Sequence, residues 1–458
     1  QNIYIGGCVA IGYINNDDLP YIFFSGNKVD DQLYLNKGKL KFEDISANSN
    51  LAQNPGWSFD ATIADVNADG FLDIYVCRSG PTMKVNERHN LLYINNGDAT
   101  FTEKAKEYGL DNTGFSIQAS FFDFDKDGDL DMYLVNQPPD KRFASALDLD
   151  PNPDDPNYSD RLFRNDGNQF VDITKQAGLS NYAYGLNAVT SDINADGHID
   201  IYVSNDFEKP DFVYINNGNG TFTNKAHEYL KHVAWFSMGS DVADFNNDGL
   251  LDITTVDMAS EDHFRSKTNM GSMNIEQFWT YVSRGYHYQY MFNTLQLNNG
   301  NGSFSEIGQM AHMSKTDWSW AVFFADIDND RNKDILISNG IQYDIRNNDF
   351  SEYIRKNVEQ GMRDFNPMEL LKQIPSTPMA NYLYQNNGDY TFTNVAKDWG
   401  FGLRGFSNGM AYADLDNDGD LEVVLNDVSA PAKVYKNVKG RLNNYLRVKL
   451  KGTETDPF

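Results

Sequence analysis

Six acidic loops recur along the chain, each of the form D-x-D/N-x-D-G-x-x-D/E. They place Asp65, Asn67, Asp69 and Asp73; Asp123, Asp125, Asp127 and Asp131; and Asp192, Asn194, Asp196 and Asp200 at loop positions 1, 3, 5 and 9. The later three place Asp244, Asn246, Asp248 and Asp252; Asp326, Asp328, Asp330 and Asp334; and Asp414, Asp416, Asp418 and Glu422. Calcium takes roughly six to eight hard oxygen ligands, and side chains at alternate positions of a curled loop converge on one point. Position 7 can add a carbonyl, and Gly at position 6 permits the turn. A single copy would read equally as an Asx-rich turn with solvated carboxylates. Six copies in register point instead to about six structural calcium sites. The flanks read as strands and no bidentate Glu stands at position 12, so these are not EF-hands. A degenerate seventh copy opens the chain with Tyr13, Asn15, Asp17, Asp18 and Tyr21, and is expected to hold no metal. Arg331 replaces the Gly of the fifth intact loop, which leaves its acidic ligands in place.

The loops need strands to hold them. After each comes a short apolar stretch ending in Asn and usually Gly, from Leu33–Asn36 and Leu92–Asn95 through to Val434–Asn437. Alternating β-branched and aromatic residues bounded by Asn-Gly turns signal strands and hairpins. Each unit therefore reads as four strands, with the acidic loop between strands one and two and the Asn turn between three and four. Seven such units predict an all-β fold, a seven-bladed β-propeller over residues 1–440. The Phe opening strand four precedes the next loop by 23 residues once and by 22 five times. By contrast, loop start to strand-three Asn runs 23, 30, 42, 24, 54, 60 and 23 residues. All the length variation thus lies between strands two and three, at the end of the blade opposite the acidic loops.

This pattern resembles the FG-GAP/VCBS repeat family, and more closely the propeller of the cartilage acidic protein (ASPIC/UnbV) family in its bacterial surface-protein form. The resemblance implies an integrin-α-like propeller with calcium in the loops and a recognition or adhesion role. Residues 443–452 look like the opening of that family's C-terminal domain. Residues 441–458 are accordingly either such a start, cut short at Phe458, or a strand that closes the ring; Asn2–Ile5 is the other candidate for closure.

Composition narrows the function. Thirty-eight basic against 65 acidic residues give a net charge of −27, and 21 of those acids stand at the four loop positions. A chain this acidic repels nucleic acid. No apolar run approaches the ~18 residues that span a bilayer, and no signal-like start precedes Gln1, so a targeting segment was either removed or never present. Cys8 and Cys77 form no metal spacing and read as buried thiols rather than as a bridge. Loops of modest affinity suit millimolar extracellular calcium, which places the chain outside the cell or at its surface.

Binding is expected where the repeat breaks down. An aromatic eight residues before each loop (Trp57, Phe115, Tyr184, Phe236, Trp318 and Phe406) repeats with the scaffold and reads as packing between blades. Four insertions do not repeat: residues 79–90, 137–160, 257–291 and 340–380. In the third, Ile275, Phe278, Trp279 and Val282 fall at helical spacing. In the fourth, Asp349 with Glu352 and Asn366-Pro367 with Glu369 predict two capped helices. The third also carries His263, Arg265, Trp279, Tyr286, His287 and Tyr288, which suit a protein or polysaccharide ligand if they do not simply pin the insertion to the blade beneath. The alternative is a carbohydrate-active enzyme, a polysaccharide lyase or hydrolase, using Tyr, His and Arg on that face. No nucleophile elbow, phosphate loop, dinucleotide fingerprint or zinc-protease motif is present.

Overall fold

A computed structural model describes residues 6–51, 56–80, 84–138, 154–269, 274–361 and 372–440, with Leu370, Asn443, Tyr445, Leu446 and Val448 besides. Seven antiparallel sheets follow one another along the chain, six of four strands and a last of three described strands. Each sheet takes its strands in sequence order, so every blade is one repeat. The seven first strands (Val9–Gly12, Ser58–Ala64, Ser116–Phe122, Tyr184–Ser191, Ser240–Ala243, Ser319–Ala325 and Ser407–Ala413) contact one another around a complete ring, the last against the first. The predicted propeller is therefore present. The two stretches considered for a ring-closing strand lie outside the described residues or, at residues 443–448, form no strand in the part that is described.

Strand two explains why the blades stack. Asp73–Arg78, Asp131–Asn136, Asp200–Asp206 and Asp334–Asn339 are buried along their whole length. Each is covered on both faces, so apolar residues run almost continuously instead of alternating. Tyr75, Tyr133 and Tyr202 at the middle of three of these strands are fully buried. Their hydroxyls are paired, with Leu110 O at 3.0 Å, Asp160 at 2.9 Å and Asp211 at 2.6 Å.

The insertions are partly helical. The blade-five connection carries helices His263–Thr268 and Ile275–Ser283, and the blade-six connection carries Asn348–Glu359. The cap of the last lies two residues before the expected one: Asn347, not Asp349, accepts the Phe350 amide. Asn347 is held in extended backbone, which leaves its side chain free to turn over the first turn. The expected helix from Asn366 lies outside the described residues. Cys8 and Cys77 are both free thiols. Among the described residues no helix is long and apolar enough to cross a membrane.

Candidate metal loops and binding face

Each acidic loop is organised by its own backbone. Asp65 accepts the amides of Asp69 and Gly70 at 3.0 and 2.8 Å, and Asp192, Asp244, Asp326 and Asp414 repeat the arrangement. Asp123 accepts from Lys126 and Gly128. Position 6 has a positive φ throughout, and Arg331 adopts it at 83°, close to the 88° of Gly70. A non-glycine residue there is strained. The fifth loop keeps its shape all the same.

Position 9 has a second role that the ligand pattern does not reveal. One carboxylate oxygen of Asp200 accepts the Ile193 amide and the other accepts the Asn216 amide, at 3.0 and 2.8 Å. The Asn216 side chain then donates to Phe124 O in the preceding blade and to Ile199 O, while its own oxygen accepts from Gly218. Asn95, Asn298, Asn386 and Asn437 repeat the link to the preceding blade. Asn36 makes it to Leu415 O at 2.8 Å and so fastens blade one to blade seven. Position 4 adds a further tie in four loops, including Asn417 to Asp18 O. The strand-three Asn that reads in the sequence as a turn residue is thus also a clamp between blades.

The loops differ at position 3. Where it is Asp, carboxylate oxygens converge: Asp123, Asp125 and Asp131; Asp326, Asp328 and Asp330; and Asp414, Asp416, Asp418 and Glu422 each form a group within 4.8 Å. Buried oxygens of Asp328 and Asp416 have no hydrogen-bond partner, which suits an absent cation. Where position 3 is Asn, its amide donates to the position-5 carboxylate at 2.9 Å, as Asn67, Asn194 and Asn246 do. In blade seven Lys436 lies against Asp416 and, at 3.4 Å, Asp418. Burial pushes the position-9 carboxyls up, to about 8 at Asp131 and Asp334 and about 7 at Asp73, Asp200, Asp252 and Glu422. Neighbouring loop carboxylates push in the same direction, and a bound cation would relieve that repulsion.

At the other end, the six repeated aromatics at or just before the start of strand one do not line the central channel, which is walled by the first strands themselves. They pack against neighbouring side chains: Arg88 lies 3.9 Å over Phe115, Arg346 4.8 Å over Phe236, and Lys28 5.0 Å over Trp57. Trp57, Phe115 and Phe236 thus pack between blades as expected.

The six candidate ligand residues divide. Arg265 is held by Asp317, at 2.8 Å from both Nε and Nη2, and by Asp344 at 3.1 and 3.2 Å. Its guanidinium ties the blade-five insertion to blade six. His287 is buried, with Nε2 on Leu230 O and Nδ1 accepting the Tyr288 amide, and stacks on His227 at 4.5 Å. Burial lowers its pKa to about 4. Tyr286 is half-buried under Lys209. His263 is exposed at the first turn of its helix. Trp279 (57% exposed), Tyr288 (41%) and, one helical turn before Trp279, Ile275 (71%) face solvent. Phe278, in contact with both aromatic rings, is half-buried, Tyr281 is buried and Val282 is half-buried. The helical spacing is as expected, but two of its four apolar residues point outward. Nothing in the sequence separates the buried side of this helix from the open one, because both carry aromatics.

Comparison with known proteins agrees with the repeat. The FG-GAP-like repeat matches residues 14–76, 83–134, 192–255, 278–337 and 374–425. Cartilage acidic protein 1 of Mus musculus is 24% identical over 290 residues, and that of Xenopus tropicalis 26% over 283. Each match covers 60% of this chain and only 34% of the relative's length, so the chain spans about a third of those proteins. Among solved structures, a lectin of Agrocybe aegerita described as recognising non-reducing terminal N-acetylglucosamine aligns over 95% of this chain and 91% of its own, at 17% identity and TM-score 0.45. An exotype rhamnogalacturonan lyase aligns over 95% and 89% at 10% identity and TM-score 0.33. Likeness at that level says nothing about what this chain binds. With the repeat matched over more than half of its length, the chain belongs to the FG-GAP-like repeat family.

Proposed function

We propose that this propeller is a calcium-stabilised recognition module, acting outside the cell or at its surface, that binds a protein or glycan partner through its insertions. The observation that carries the reading is the exposed Ile275, Trp279 and Tyr288 surface, presented on an insertion anchored by the Arg265 ion pairs. Exposed aromatics on a firmly held element are the usual anchors of an interface. The acidic loops would supply the rigidity: Asp123, Asp125 and Asp131, Asp326, Asp328 and Asp330, and Asp414, Asp416, Asp418 and Glu422 are the groups best placed to hold calcium. Bound calcium would neutralise the clustered carboxylates and tie strands one and two together.

The test is retention on partner-loaded supports in calcium buffer, with polysaccharides cast in native gels and extracellular protein extracts on beads. Ile275→Ser combined with Trp279→Ser should abolish retention and change stability by less than about 1 kcal/mol, since both side chains already face solvent. Undiminished retention by that double variant would move recognition away from the insertion. A cleared zone in a polysaccharide gel would favour the enzyme reading.

A further inference from the structure

Eight Asn-Gly pairs stand in the sequence, and the fold treats them differently. Asn339 and Asn408 are buried in strands. The other six lie in the turns between strands three and four, and they are of two kinds. Asn96, Asn217, Asn299 and Asn387 directly follow the strand-three Asn. Each has both ends of its carboxamide tied to hydroxyls at or just before strand four. Asn217 Nδ2 donates to Thr221 at 3.0 Å and Thr223 at 3.1 Å, and its oxygen accepts from Thr223 at 3.2 Å. The other three repeat the pattern with Thr or Ser. The glycine after each donates its amide to the clamp Asn, as Gly218 does to Asn216 Oδ1.

Asn219 and Asn301 are exposed and held another way. Asn219 Oδ1 accepts the Thr221 amide at 3.1 Å and its hydroxyl at 2.6 Å. Asn301 Oδ1 accepts the same two groups of Ser303 at 3.1 and 2.7 Å. Such a turn curls the carboxamide over the amide of the residue between, here Gly220 or Gly302. Among the described residues neither glycine amide has a hydrogen-bond partner, and neither does either Nδ2. Both glycines take positive φ, 80° and 75°, and bring no side chain to block the approach. Two donors on Oδ1 draw charge toward the oxygen and stabilise it when Cγ is attacked.

We infer that Asn219 and Asn301 are sites of selective spontaneous deamidation. The Gly220 nitrogen attacks Asn219 Cγ and forms the new N–C bond while the Thr221 amide and hydroxyl hold Oδ1. The Cγ–Nδ2 bond breaks, and Nδ2 leaves as ammonia with the proton that the Gly220 amide gives up. Water then opens the cyclic imide at either carbonyl, giving aspartate or isoaspartate. Nothing is oxidised or reduced, and each event adds one negative charge at the loop end. Gly302 and Asn301 follow the same course beside Ser303. Blades two and six show the aspartate product in place. Asp98 and Asp389 stand at the same turn position and make the same bonds, to Thr100 and Thr391. Ala99 and Tyr390 follow them with positive φ, so the position accepts a side chain.

The test is peptide mapping by mass spectrometry on the folded full chain, held for weeks in mildly alkaline calcium buffer. Asn219 and Asn301 should convert about tenfold or more faster than Asn96, Asn217, Asn299 or Asn387. In concentrated urea, where the turns are lost, all six should convert at similar rates, since each precedes Gly. Gly220→Ala should slow conversion at Asn219 alone and fold normally, because Ala99 already occupies the equivalent place. Equal conversion of tied and untied sites in the folded chain would overturn the inference. So would a folded chain that keeps Asn219 and Asn301 intact while the unfolded chain converts them, or undiminished conversion in Gly220→Ala.

Discussion

The two ends of this propeller use polar residues in opposite ways. At the loop end, Asp and Asn repeat in register, and the position-1 and position-9 acids and the strand-three Asn are engaged with backbone of their own blade or the next. At the insertion end the connections between strands two and three do not repeat, and apolar rings such as Trp279 and Tyr288 are left facing solvent. A repeated polar residue in this fold belongs to the ring that closes it. Recognition is best sought where one blade departs from the others, as blade five does with its helices.

The contrast is broken most severely by cutting a clamp. Asn216→Ala removes the bonds to Phe124 O, Ile199 O and Gly218 N, the first buried and the others partly so. Urea denaturation should show a loss of about 2–4 kcal/mol. A loss below about 0.5 kcal/mol would mean that the clamps do not hold the ring.

A second, smaller effect is pH-dependent. The residue just before strand three is Asp31, Asp160 and Asp211 in blades one, three and four, but Asn90, Asn293 and Asn381 in blades two, five and six. Burial raises Asp211 to about 7. Because that folded value exceeds the ordinary ~3.9, its contribution to stability is present at low pH and lost as pH rises from about 4 through about 7. Asp211→Asn should flatten that part of the stability profile, because in blade two Asn90 stands at the same place and pairs with Tyr75 and Ser116 as a donor, where Asp211 accepts from Tyr202 and Ser237. An unchanged slope in urea melts between pH 5 and 8 would show that Asp211 is not the group responsible.

The smallest effect distinguishes one loop from another. Lys436 already neutralises part of the blade-seven loop. Lys436→Met should tighten one calcium site by about tenfold in a calorimetric titration without altering the others. Weakened or unchanged binding would mean that blade seven takes no calcium.

Much of this was legible in the sequence. Loop register and strand-three Asn spacing gave seven blades and placed the insertions, because both follow from periodicity along the chain. Three features were hidden for a common reason: each depends on a neighbour distant in sequence. The Asn36 clamp reaches Leu415, the Arg265 guanidinium meets Asp317 and Asp344, and His287 lies between Leu230 and His227. Residue type suggested ligands at Arg265 and His287, and only packing shows that their polar atoms are engaged. The Asn347 cap was missed because Asn347, Asn348 and Asp349 are all plausible caps, and backbone geometry chooses among them.

The most direct test of the account is a calorimetric melt at pH 7 with about 2 mM calcium, repeated with chelator in excess. If the acidic loops are structural metal sites, calcium must raise the melting temperature, because a ligand that binds only the folded chain stabilises it. The rise should be largest for the wild-type chain and reduced by Asp328→Asn or Asp125→Asn. A melting temperature indifferent to chelation would contradict the account and leave the loops as hydrogen-bonded turns.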